Sequence, residues 1–504
     1  MTIFISVGRL GEMEDRISKD FKFSEFTKSD TATRLHINNA ITSWEVRDNI
    51  KALVEDVLQP LRDAWGGPLF INSGYRCLEL NKAVGGVPTS QHCFDEETEI
   101  LTTRGWLKHD EIKDEDIVFS YNIALGHIES TPIEEIVKYH YDGELLGIAN
   151  KQIDVLTTDK HRMLVRYDSH KYVRKNTLNI SPEGQKYFDS LKTDNDLWHI
   201  ELAEEVYSKC RIYKSAGRSV AWAKPDIPFF KMCMAVIADG YFCHKDGVNG
   251  IGLGFRFKKE RKCNQLEELL NELDWHFTKK LDKHGVWNYY LRFEYGNAIY
   301  SVIGQEKHIP YEVLSFGADA MRELVLYYAL YDGCSDKREN CNTVNIGTTL
   351  KHNADMLQAM CALSDMRCVC TKHERGQYNI KGRVGACRDH YSLSVNRERN
   401  ESKAHGERYY KKKYQGVVWC VNNRNTTLIV RRNGRVTIQG NCLGEGADVG
   451  CTDPYALAKL VKKMRLDFDQ MGVYASFVHL SYKRDGRNRG QIFYGKNWRG
   501  PRDL

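Results

Sequence analysis

The sequence predicts a multidomain α+β protein in which one domain is split by the insertion of another. The two ends of the chain, 1–92 and 442–504, combine amphipathic helices with short strands and predict one split α+β domain. Between them, 93–225 and 401–441 have the patterns of two parts of an all-β domain, and 226–400 has that of an α/β domain. Strands on both sides of a helix-rich centre indicate a domain placed in a loop of another domain.

Each end of the chain carries one clear helix and nearby strands. Apolar residues recur at helical spacing over 41–65 and predict a packed helix, and 68–76 (PLFINSGYR) predicts a strand and a turn. Near the other end, 453–468 (DPYALAKLVKKMRLDF) predicts a second amphipathic helix. The segments 474–485 (YASFVHLSYKRD) and 489–495 (RGQIFYG) predict the two strands of a hairpin.

The middle of the chain begins and ends with β-type patterns. Strands are predicted within 116–122 (DIVFSYN), 143–149 (GELLGIA) and 154–167 (DVLTTDKHRMLVRY). A helix-rich stretch follows around 226–375, and strands return in 416–440. We therefore expect the two β-rich parts to form one domain around the helix-rich centre.

The composition is that of a folded protein with more than one core, since 42% of the 504 residues are hydrophobic and 11% aromatic. The 15 cysteines are scattered and odd in number, which favours a reducing compartment over a disulfide framework. The sequence has no positively charged start followed by an apolar h-region, and it has no run of about 18 apolar residues. We therefore expect no signal peptide, no membrane partner and a cytoplasmic protein. The net charge of +6 is mild, and the basic stretches 258–262, 411–414 and 431–435 are either solvated faces or DNA contacts.

Two junctions mark the ends of the inserted segment. At the first, SQH (90–92) runs without a linker into CFDEETEILTTRGW (93–106), and at the second an apolar strand ends at Asn441 and Cys442. Removing 93–441 takes out 349 residues and leaves 155, the size of an ordinary single domain. In the joined text, SQH is followed directly by CLGEGAD.

The joined ends resemble the phage-type branch of peptidase family M15, the zinc D-Ala-D-Ala carboxypeptidases. Ser90, His92 and Asp448 match the family's SxHxxGxAxD signature only after the joining, because His92 and Asp448 are otherwise 356 residues apart. The SGYR that ends in Arg76 and the FVHLSY that contains His479 also resemble this family. The likeness covers nearly all of the 155 residues.

The resemblance implies a catalytic Zn²⁺ ion and a peptide substrate. The ligands would be His92, Asp448 and His479, a set of nitrogen and oxygen donors that leaves the fourth position to water. Arg76 and Ser90 would bind the substrate, with the guanidinium holding a carboxylate or a carbonyl. The resemblance further implies a phage-encoded lysis enzyme, made in the host-cell cytosol, that cuts a peptidoglycan stem peptide.

One departure from the family pattern leaves an alternative open. Members of the wider family place a catalytic Glu a few residues before the last His, and here Asp469 is the nearest acid. The two ends of the chain could therefore form a non-catalytic zinc-binding or structural phage domain.

The 349 inserted residues resemble an intein, that is, an all-β Hint splicing domain of horseshoe shape carrying a LAGLIDADG (DOD-type) homing endonuclease. Cys93 with FDEETEILTTRGW resembles the first splicing block, and TTDKH supplies a Thr-x-x-His block as Thr158 and His161. VWCVNNRNTTLIVRRNG, which contains Cys420, resembles the penultimate block. VTIQGNC ends in the Asn-Cys pair that splicing requires.

The resemblance implies an autocatalytic mechanism that needs no metal or cofactor. Cys93 would move the preceding acyl group from its own nitrogen to its sulfur, because only the first residue carries a nucleophile next to the bond that must break. His161 would protonate the departing nitrogen, and Thr158 would orient the scissile group. Cys442 would then take over the acyl group, and Asn441 would cut itself free by attack of its side-chain amide on its own carbonyl.

Two positions depart from the splicing pattern. Gly440 stands where the residue before the terminal Asn is usually His, and Cys420 stands where the penultimate block usually carries Asp. Arg431 or Arg432 is the candidate for polarising the Asn441 carbonyl instead. The alternative is a DNA-binding or endonuclease protein whose splicing blocks no longer function.

The centre of the chain carries two short apolar helical runs that end in Asp-Gly, 232–242 (MCMAVIADGYF) and 325–335 (VLYYALYDGCS). Singly, such a run is more typical of a core helix, but the pair resembles the two motifs of a single-chain LAGLIDADG endonuclease. The resemblance places Asp239 and Asp332 together at a pseudo-two-fold axis, where they would hold Mg²⁺ for cutting double-stranded DNA. Lys307 matches a family block that often carries a lysine near the active centre.

Overall fold

A computed structural model describes most of the chain. By proximity of their Cα atoms, the residues form two compact units, one from 1–90 with 442–504 and the other from 91–441. Within the described residues, no helix is both long and apolar enough to cross a membrane. The described residues are 15–41, 44–77, 80, 93–123, 125–167, 198–244, 250–335, 342–374, 376–380, 383–386, 389–441, 446–482, 488, 490–495 and 498–504.

The first unit begins with helices and one strand. Three consecutive helical pieces run without a break from residue 44 to residue 65, which confirms the helix predicted there. Gly66, in the left-handed region at φ 72°, ends this helix. The elements are α1 (Phe23–Thr27), α2 (Asp30–Leu35), α3 (Trp44–Ala52), a π-helical turn (Leu53–Leu58), α4 (Gln59–Trp65) and β1 (Phe70–Ser73).

The second unit begins with strands, as its sequence predicts. Alternating or continuous apolar residues at 117–122, 135–149, 154–157 and 162–167 all lie in strands. The elements are β2 (Phe94–Asp95), β3 (Glu99–Thr102), β4 (Gly105–Leu107), β5 (Ile117–Asn122), β6 (His127–Pro132), β7 (Glu135–Ala149), β8 (Asp154–Thr157), β9 (Arg162–Tyr167), β10 (His199–Leu202), α5 (Ala203–Val206) and β11 (Arg211–Lys214).

The centre of the second unit alternates helices with strands. Both Asp-Gly runs are helical, and the first of these helices starts at a cap in which the Asp226 side chain accepts from the Phe229 N–H at 3.2 Å. The elements are α6 (Ile227–Ala238), β12 (Tyr241–His244), β13 (Ile251–Phe257), α7 (Glu260–Glu272), β14 (Phe277–Leu281), β15 (Trp287–Leu291), α8 (Phe293–Ile303), a 3₁₀ turn (Tyr311–Ser315), α9 (Ala318–Asp332), β16 (Gly333–Ser335), β17 (Thr343–Thr348), α10 (Lys351–Leu363), β18 (Arg367–His373), β19 (Gln377–Ile380), β20 (Arg383–Ala386) and β21 (His390–Asn396).

Strands return at the end of the second unit. Asn433 and Gly434 join the last two strands in a tight hairpin, and both have positive φ, of 47° and 72°. Asn-Gly is a favoured pair for a two-residue hairpin turn of this kind. The elements are β22 (Glu401–Ala404), a 3₁₀ turn (Gly406–Arg408), β23 (Tyr409–Asn422), β24 (Thr427–Arg432) and β25 (Arg435–Gly440).

The end of the chain completes the sheet of the first unit. Its strands lie in the order β1-β26-β28-β27-β29, and α11 packs against β27 and β28. The buried core lies between this sheet and the helices. The elements are β26 (Gly446–Gly450), α11 (Pro454–Lys463), β27 (Gln470–Val473), β28 (Phe477–Ser481) and β29 (Gln491–Tyr494).

The predicted hairpin between 474–485 and 489–495 is wrong. Strand β28 pairs antiparallel with β27, which precedes it, and β29 pairs in parallel with the other edge of β27. A tight turn explains the preference, because the Tyr474 N–H donates to Phe477 O at 3.0 Å and directs the chain back along β27. The local sequence pattern indicates a strand but does not identify its partner.

A single large sheet runs through the β-rich parts and the centre of the second unit. Among the residues that the structure describes, its 14 strands follow the path β16-β17-β21-β18-β25-β24-β3-β5-β6, with β4, β9, β10, β11 and β22 attached. Strands β2, β23, β7 and β8 close a small barrel, and β12, β13, β15 and β14 form a separate sheet. One hydrophobic core extends from Phe119 on β5 to Val236 on α6 and Val325 on α9.

Candidate functional site

The first candidate site surrounds the backbone of Cys93. The Cys93 N–H donates to Thr158 Oγ1 at 3.0 Å, and the Thr158 N–H donates to Cys93 O at 3.1 Å. These bonds continue the β2–β8 register, in which Phe94 is paired with Thr157. Thr158 is therefore fixed on the amide nitrogen of the first inserted residue.

His161 lies in the turn that follows Thr158. Its N–H donates to Thr158 O at 3.2 Å, and its ring centroid is 4.4 Å from that of Phe94. The His161 side chain is fully buried. The turn between β8 and β9 thus brings the predicted Thr-x-x-His pair to the end of β2 where Cys93 lies.

Cys420 is brought to the same place by β23. Phe94 pairs with Trp419 in antiparallel register, so the next position along β23, Cys420, stands opposite Cys93. Both cysteines are fully buried in one apolar cluster. Trp419 Nε1 donates to Asp95 O at 3.2 Å and holds the two strands together.

Asn441 closes the first site from the end of β25. Its N–H donates to Thr426 O at 2.9 Å, and its side-chain Nδ2 donates to Val421 O at 3.1 Å. The residue is fully buried, and among the described residues Asn441 Oδ1 has no hydrogen-bond partner. A buried acceptor left unpaired costs about 1–3 kcal/mol, which is more easily explained for a reactive side chain than for a structural one.

The hypothesis that Arg431 or Arg432 polarises the Asn441 carbonyl is wrong. Arg431 binds Glu99 at 2.7 Å and Asp355 at 2.6 Å, and Arg432 binds Asp95 at 3.0 Å. Consecutive residues of a strand point to opposite faces, and here both guanidinium groups end on carboxylates.

Five predicted residues therefore meet in the first site: Cys93, Thr158, His161, Cys420 and Asn441. Three other predicted residues, Ser90, His92 and Cys442, lie outside the residues that the structure describes.

The second candidate site lies where α6 and α9 end. The two helices pack against each other, with Asp239 capping α6 and Asp332 as the last residue of α9. Burial, together with the nearby Asp239 carboxylate, raises the pKa of Asp332 to about 6. The structure thus brings the two predicted acids together. Carboxylate oxygens of this kind fit Mg²⁺, which would relieve their repulsion.

Two lysines flank the carboxylates of the second site. Lys307 Nζ donates to Gly240 O, and burial lowers the Lys307 pKa against the opposing effect of both acids. Lys262, from α7, forms an ion pair with Asp239 and is largely buried. Lys307 was predicted from sequence, whereas nothing in the basic stretch around Lys262 distinguishes it from its neighbours.

The third candidate site lies in the first unit. Asp448 on β26 and His479 on β28 stand opposite each other, with Asp448 Oδ1 and His479 Nδ1 2.8 Å apart. Both side chains are about 30% exposed, and their donor atoms fit Zn²⁺. In the described ranges no three His, Cys, Asp or Glu side chains are grouped for a metal, and the third predicted ligand, His92, is outside them.

Two other residues predicted for the third site, Arg76 and Asp469, lie at different places relative to the Asp448–His479 pair. Arg76 is exposed in the loop after β1, the strand that pairs with β26. Asp469, the nearest acid before His479 in sequence, is not beside it, because Gly472 is the residue opposite His479 on β27. Three residues of strand correspond to about 10 Å.

Comparison with known families gives a match in the first part of the chain. The family described as Peptidase M15 matches residues 19–105. These residues include α1 to α4 and β1 of the first unit, and they extend into the first strands of the second unit. This part of the chain is therefore similar to M15 peptidases.

Two curated proteins match a larger share of the chain. The ribonucleoside-diphosphate reductase subunit beta of Aquifex aeolicus is 26% identical over 374 residues, which are 69% of this chain and 50% of that protein. The C-terminal section of a DNA-directed RNA polymerase subunit beta from Stigeoclonium helveticum is 22% identical over 448 residues, 77% of this chain and 39% of that protein. The chain thus spans half or less of the length of these relatives.

Among solved structures, about a third of the chain resembles DNA-bound homing endonucleases. I-WcaI bound to its DNA recognition sequence gives a TM-score of 0.22 at 12% identity, covering 34% of this chain and 77% of that one. I-DmoI in complex with DNA and Mn gives 0.24 at 12% identity, covering 34% and 90%. Full-length DUF199/WhiA from Thermatoga maritima gives 0.24 at 9% identity, covering 35% and 53%. These scores are low, and the likeness carries no assignment of any residue of this chain.

Proposed function

We propose that this chain is a precursor in which 93–441 excises itself and joins 1–92 to 442–504 through a new peptide bond. The observation that carries the proposal is that Cys93 and Asn441, which are 348 residues apart in sequence, both lie against positions 420–421 of β23. Cleavage at both ends and joining of the flanks require the two ends of the excised segment to react in one place.

The ends meet at one short stretch of β23. Cys93 stands opposite Cys420, and the Asn441 amide donates to Val421, the next residue of that strand. Thr158 adds a hydroxyl on the amide nitrogen of Cys93. A nucleophile, a group on its leaving nitrogen and a cyclising asparagine are the components that self-excision needs.

The first step would be an acyl shift at Cys93. The Cys93 thiol gives up its proton as its sulfur bonds to the carbonyl carbon of residue 92, the carbon–nitrogen bond breaks, and the Cys93 nitrogen takes up a proton. Thr158 Oγ1, which accepts from this N–H, holds the amide in place. His161 would deliver the proton, and Cys420 is placed to exchange a proton with groups around Cys93.

The later steps would transfer and release the product. The Cys442 sulfur takes the acyl group from Cys93, and the Asn441 amide nitrogen attacks its own carbonyl, which frees the excised segment. A final shift from sulfur to nitrogen leaves a peptide bond between His92 and Cys442. No metal or cofactor enters these steps.

The curated relatives support an inserted element. Their names are unrelated, one a reductase subunit and the other an RNA polymerase section. The first alignment covers 69% of this chain, more than the 155 residues outside 93–441, so much of it must fall inside 93–441. A segment shared by proteins of unrelated names is what a self-excising insertion would produce.

Expression of the full chain under reducing conditions tests the proposal. We expect intact mass spectrometry to find a 349-residue product and a joined 155-residue product. A chain that stays at 504 residues during prolonged incubation would contradict self-splicing and favour the alternative, a DNA-binding protein with inactive splicing blocks.

A second candidate function, cleavage of double-stranded DNA, is favoured by the paired carboxylates of Asp239 and Asp332. Two acids at the ends of packed helices are suited to hold Mg²⁺, which when bound supplies Lewis-acid stabilisation of the phosphate. Asp239 and Asp332 would supply its oxygen ligands, and Lys262 and Lys307 would balance the negative charge. The target would be the uninterrupted version of its own gene at the codons joined by excision.

Asp239→Asn and Asp332→Asn are each expected to reduce DNA cutting at least ~10²-fold, since a bound metal contributes several kcal/mol to the transition state. Splicing is expected to be unchanged, because these acids lie outside the first site. We do not expect the loss of cutting by Asp332→Asn to come from misfolding, because this change removes a buried carboxylate whose charged form is disfavoured. The assay is cutting of the uninterrupted gene with Mg²⁺ at low salt, where phosphate contacts are strongest.

The matched control is Asp319→Asn, which changes an exposed acid at the other end of α9. It should cut like the unsubstituted protein. Equal activity of all three variants would remove Asp239 and Asp332 from the reaction, and no cutting by any protein would leave the centre without nuclease function.

We further propose that the joined ends form an M15-type zinc peptidase, phage-encoded and made in the host cytosol. His92, Asp448 and His479 would hold Zn²⁺, which when bound activates water and polarises a carbonyl. Arg76 and Ser90 would bind a peptidoglycan stem peptide. The alternative is a non-catalytic zinc domain. It is favoured by the position of Asp469, which is too far along the strand from His479 to be assigned as the general base.

A further inference from the structure

The main-chain carbonyl of Asn441 has a cationic partner that the sequence motifs do not assign. Arg162 Nη1 donates to Asn441 O at 3.2 Å. We propose that Arg162 is a catalytic residue for the cyclisation of Asn441, binding the oxygen on which negative charge develops. This inference rests on the proposed splicing function and adds a residue to it.

The sheet places Arg162 at this carbonyl. Arg162 begins β9, directly after the turn that holds His161, and β9 pairs antiparallel with β25, with Met163 opposite Gln439. The next pair in this register is Arg162 with Gly440. The guanidinium therefore has to reach only one residue further, to Asn441, so the same turn supplies groups to both ends of the inserted segment.

Gly440 leaves the space that Arg162 occupies. A Cβ atom at position 440 would lie 2.7 Å from Arg162 Cβ and 3.2 Å from Arg162 O, closer than side chains normally approach. The histidine expected before the terminal Asn would therefore displace Arg162. In this chain the facing strand, and not the preceding residue, provides the cation at the Asn441 carbonyl.

The other contacts of Asn441 prepare the same reaction. Val421 O holds the Nδ2 atom at 3.1 Å, and Thr426 O holds the main-chain nitrogen at 2.9 Å. In the step itself, Nδ2 bonds to the Asn441 carbonyl carbon and loses a proton, and the carbon–nitrogen bond to Cys442 breaks as that nitrogen gains one. The excised segment ends in a succinimide.

Arg162 would act only on the oxygen. Arginine keeps its proton in proteins, so the guanidinium cannot be the base of this step and instead stabilises the oxyanion of the tetrahedral intermediate. The neighbouring cations Arg431 and Arg432 are held by carboxylates. Loss of one oxyanion donor typically costs ~10²–10³-fold in rate.

Two cleavage reactions of the full chain separate this role from a structural one. In a Cys93→Ala background, release of 442–504 reports Asn441 cyclisation alone. In an Asn441→Ala, Cys442→Ala background, release of 1–92 by added thiol reports the acyl shift at Cys93 alone.

Arg162→Met is expected to slow release of 442–504 by ~10²-fold or more and to leave thiol-induced release of 1–92 unchanged. Arg162→Lys, which keeps a cation, should recover part of the rate. Gly440→His should slow cyclisation, because its Cβ displaces Arg162.

The matched control is Arg166→Met, which removes another half-buried arginine of β9 that binds Glu401 and not Asn441. The assignment of Arg162 would be overturned if Arg162→Met and Arg166→Met slowed both cleavage reactions to the same extent. It would also be overturned if Arg162→Met affected neither reaction. If the chain without changes at Arg162 shows neither release, the splicing proposal itself fails, and the two failures are thereby distinguished.

Discussion

A chain carrying both Cys93→Ala and Asn441→Ala is expected to remain at its full 504 residues while the unsubstituted chain converts to spliced products. The first change removes the sulfur that accepts the acyl group, and the second removes the amide that cyclises. No other residue of the site can replace either group. The nucleophile must directly follow the first bond that breaks, and the cyclising amide must directly precede the second. The loss should be complete, and denaturing gels with mass spectrometry measure it.

The single variants should separate the two ends of the reaction. Cys93→Ala is expected to retain slow release of 442–504, and Asn441→Ala is expected to retain thiol-induced release of 1–92. Cys243→Ala, which removes an exposed cysteine of the same unit, is the control and should splice normally. Normal splicing by the double variant would exclude this chemistry.

Much of the local structure can be predicted because one face of each element is buried. The pattern of 116–122 predicts a strand, and the structure has β5 there. The two Asp-Gly runs predict helices, and the structure has α6 and α9 there. Pairing is different, since it depends on turns and on neighbours distant in sequence. The misassigned hairpin shows this, because the turn at Tyr474 joins β28 to β27 and leaves β29 for the other edge.

The same distinction applies to the candidate sites. Thr158 and His161 belong to one short motif and can be found from sequence, and the structure places both at Cys93. Lys262 and Arg162 could not be found this way, because their partners are 23 and 279 residues away. The position of Arg162 directly after the Thr-x-x-His motif was the available signal, but only the pairing of β9 with β25 gives it a role.

The strands around the first site also belong to the sheet of the helix-rich centre. Strand β18 pairs with β25, and Arg431 on β24 binds Asp355 on α10 in a buried ion cluster. Removing one partner of a buried ion pair leaves the other charge buried without a partner, which typically destabilises the fold by about 3–5 kcal/mol. The residues that cyclise Asn441 are thus supported by the part of the chain that carries the second site.

Zinc binding by the joined ends is expected to appear only after splicing. The proposed ligands His92 and Asp448 are separated by the whole inserted segment in the precursor, whereas excision leaves a short turn between them. Zinc ligands must reach one ion at about 2.0–2.2 Å, which requires that the turn aim both side chains. Asp448 and His479 already stand in register, so the third ligand is the one that splicing would supply.

The measurement is zinc content and hydrolysis of a peptidoglycan stem peptide by the spliced product and by the Cys93→Ala, Asn441→Ala precursor. We expect stoichiometric zinc in the product and none above background in the precursor. His92→Ala and Asp448→Ala of the product should lose the metal. His36→Asn should keep it, because His36 is exposed and Asn tolerates its left-handed φ of 55°.

Zinc content and hydrolysis together distinguish the remaining possibilities for the joined ends. A product that binds zinc without cutting would support the non-catalytic domain, as the distance between Asp469 and His479 suggests. Equal zinc binding and equal turnover in precursor and product would contradict activation by splicing, because the ligand geometry would then not depend on the His92–Cys442 bond. Activation would also explain where the insertion lies, since an inexact loss of 93–441 would damage the turn that aims two ligands.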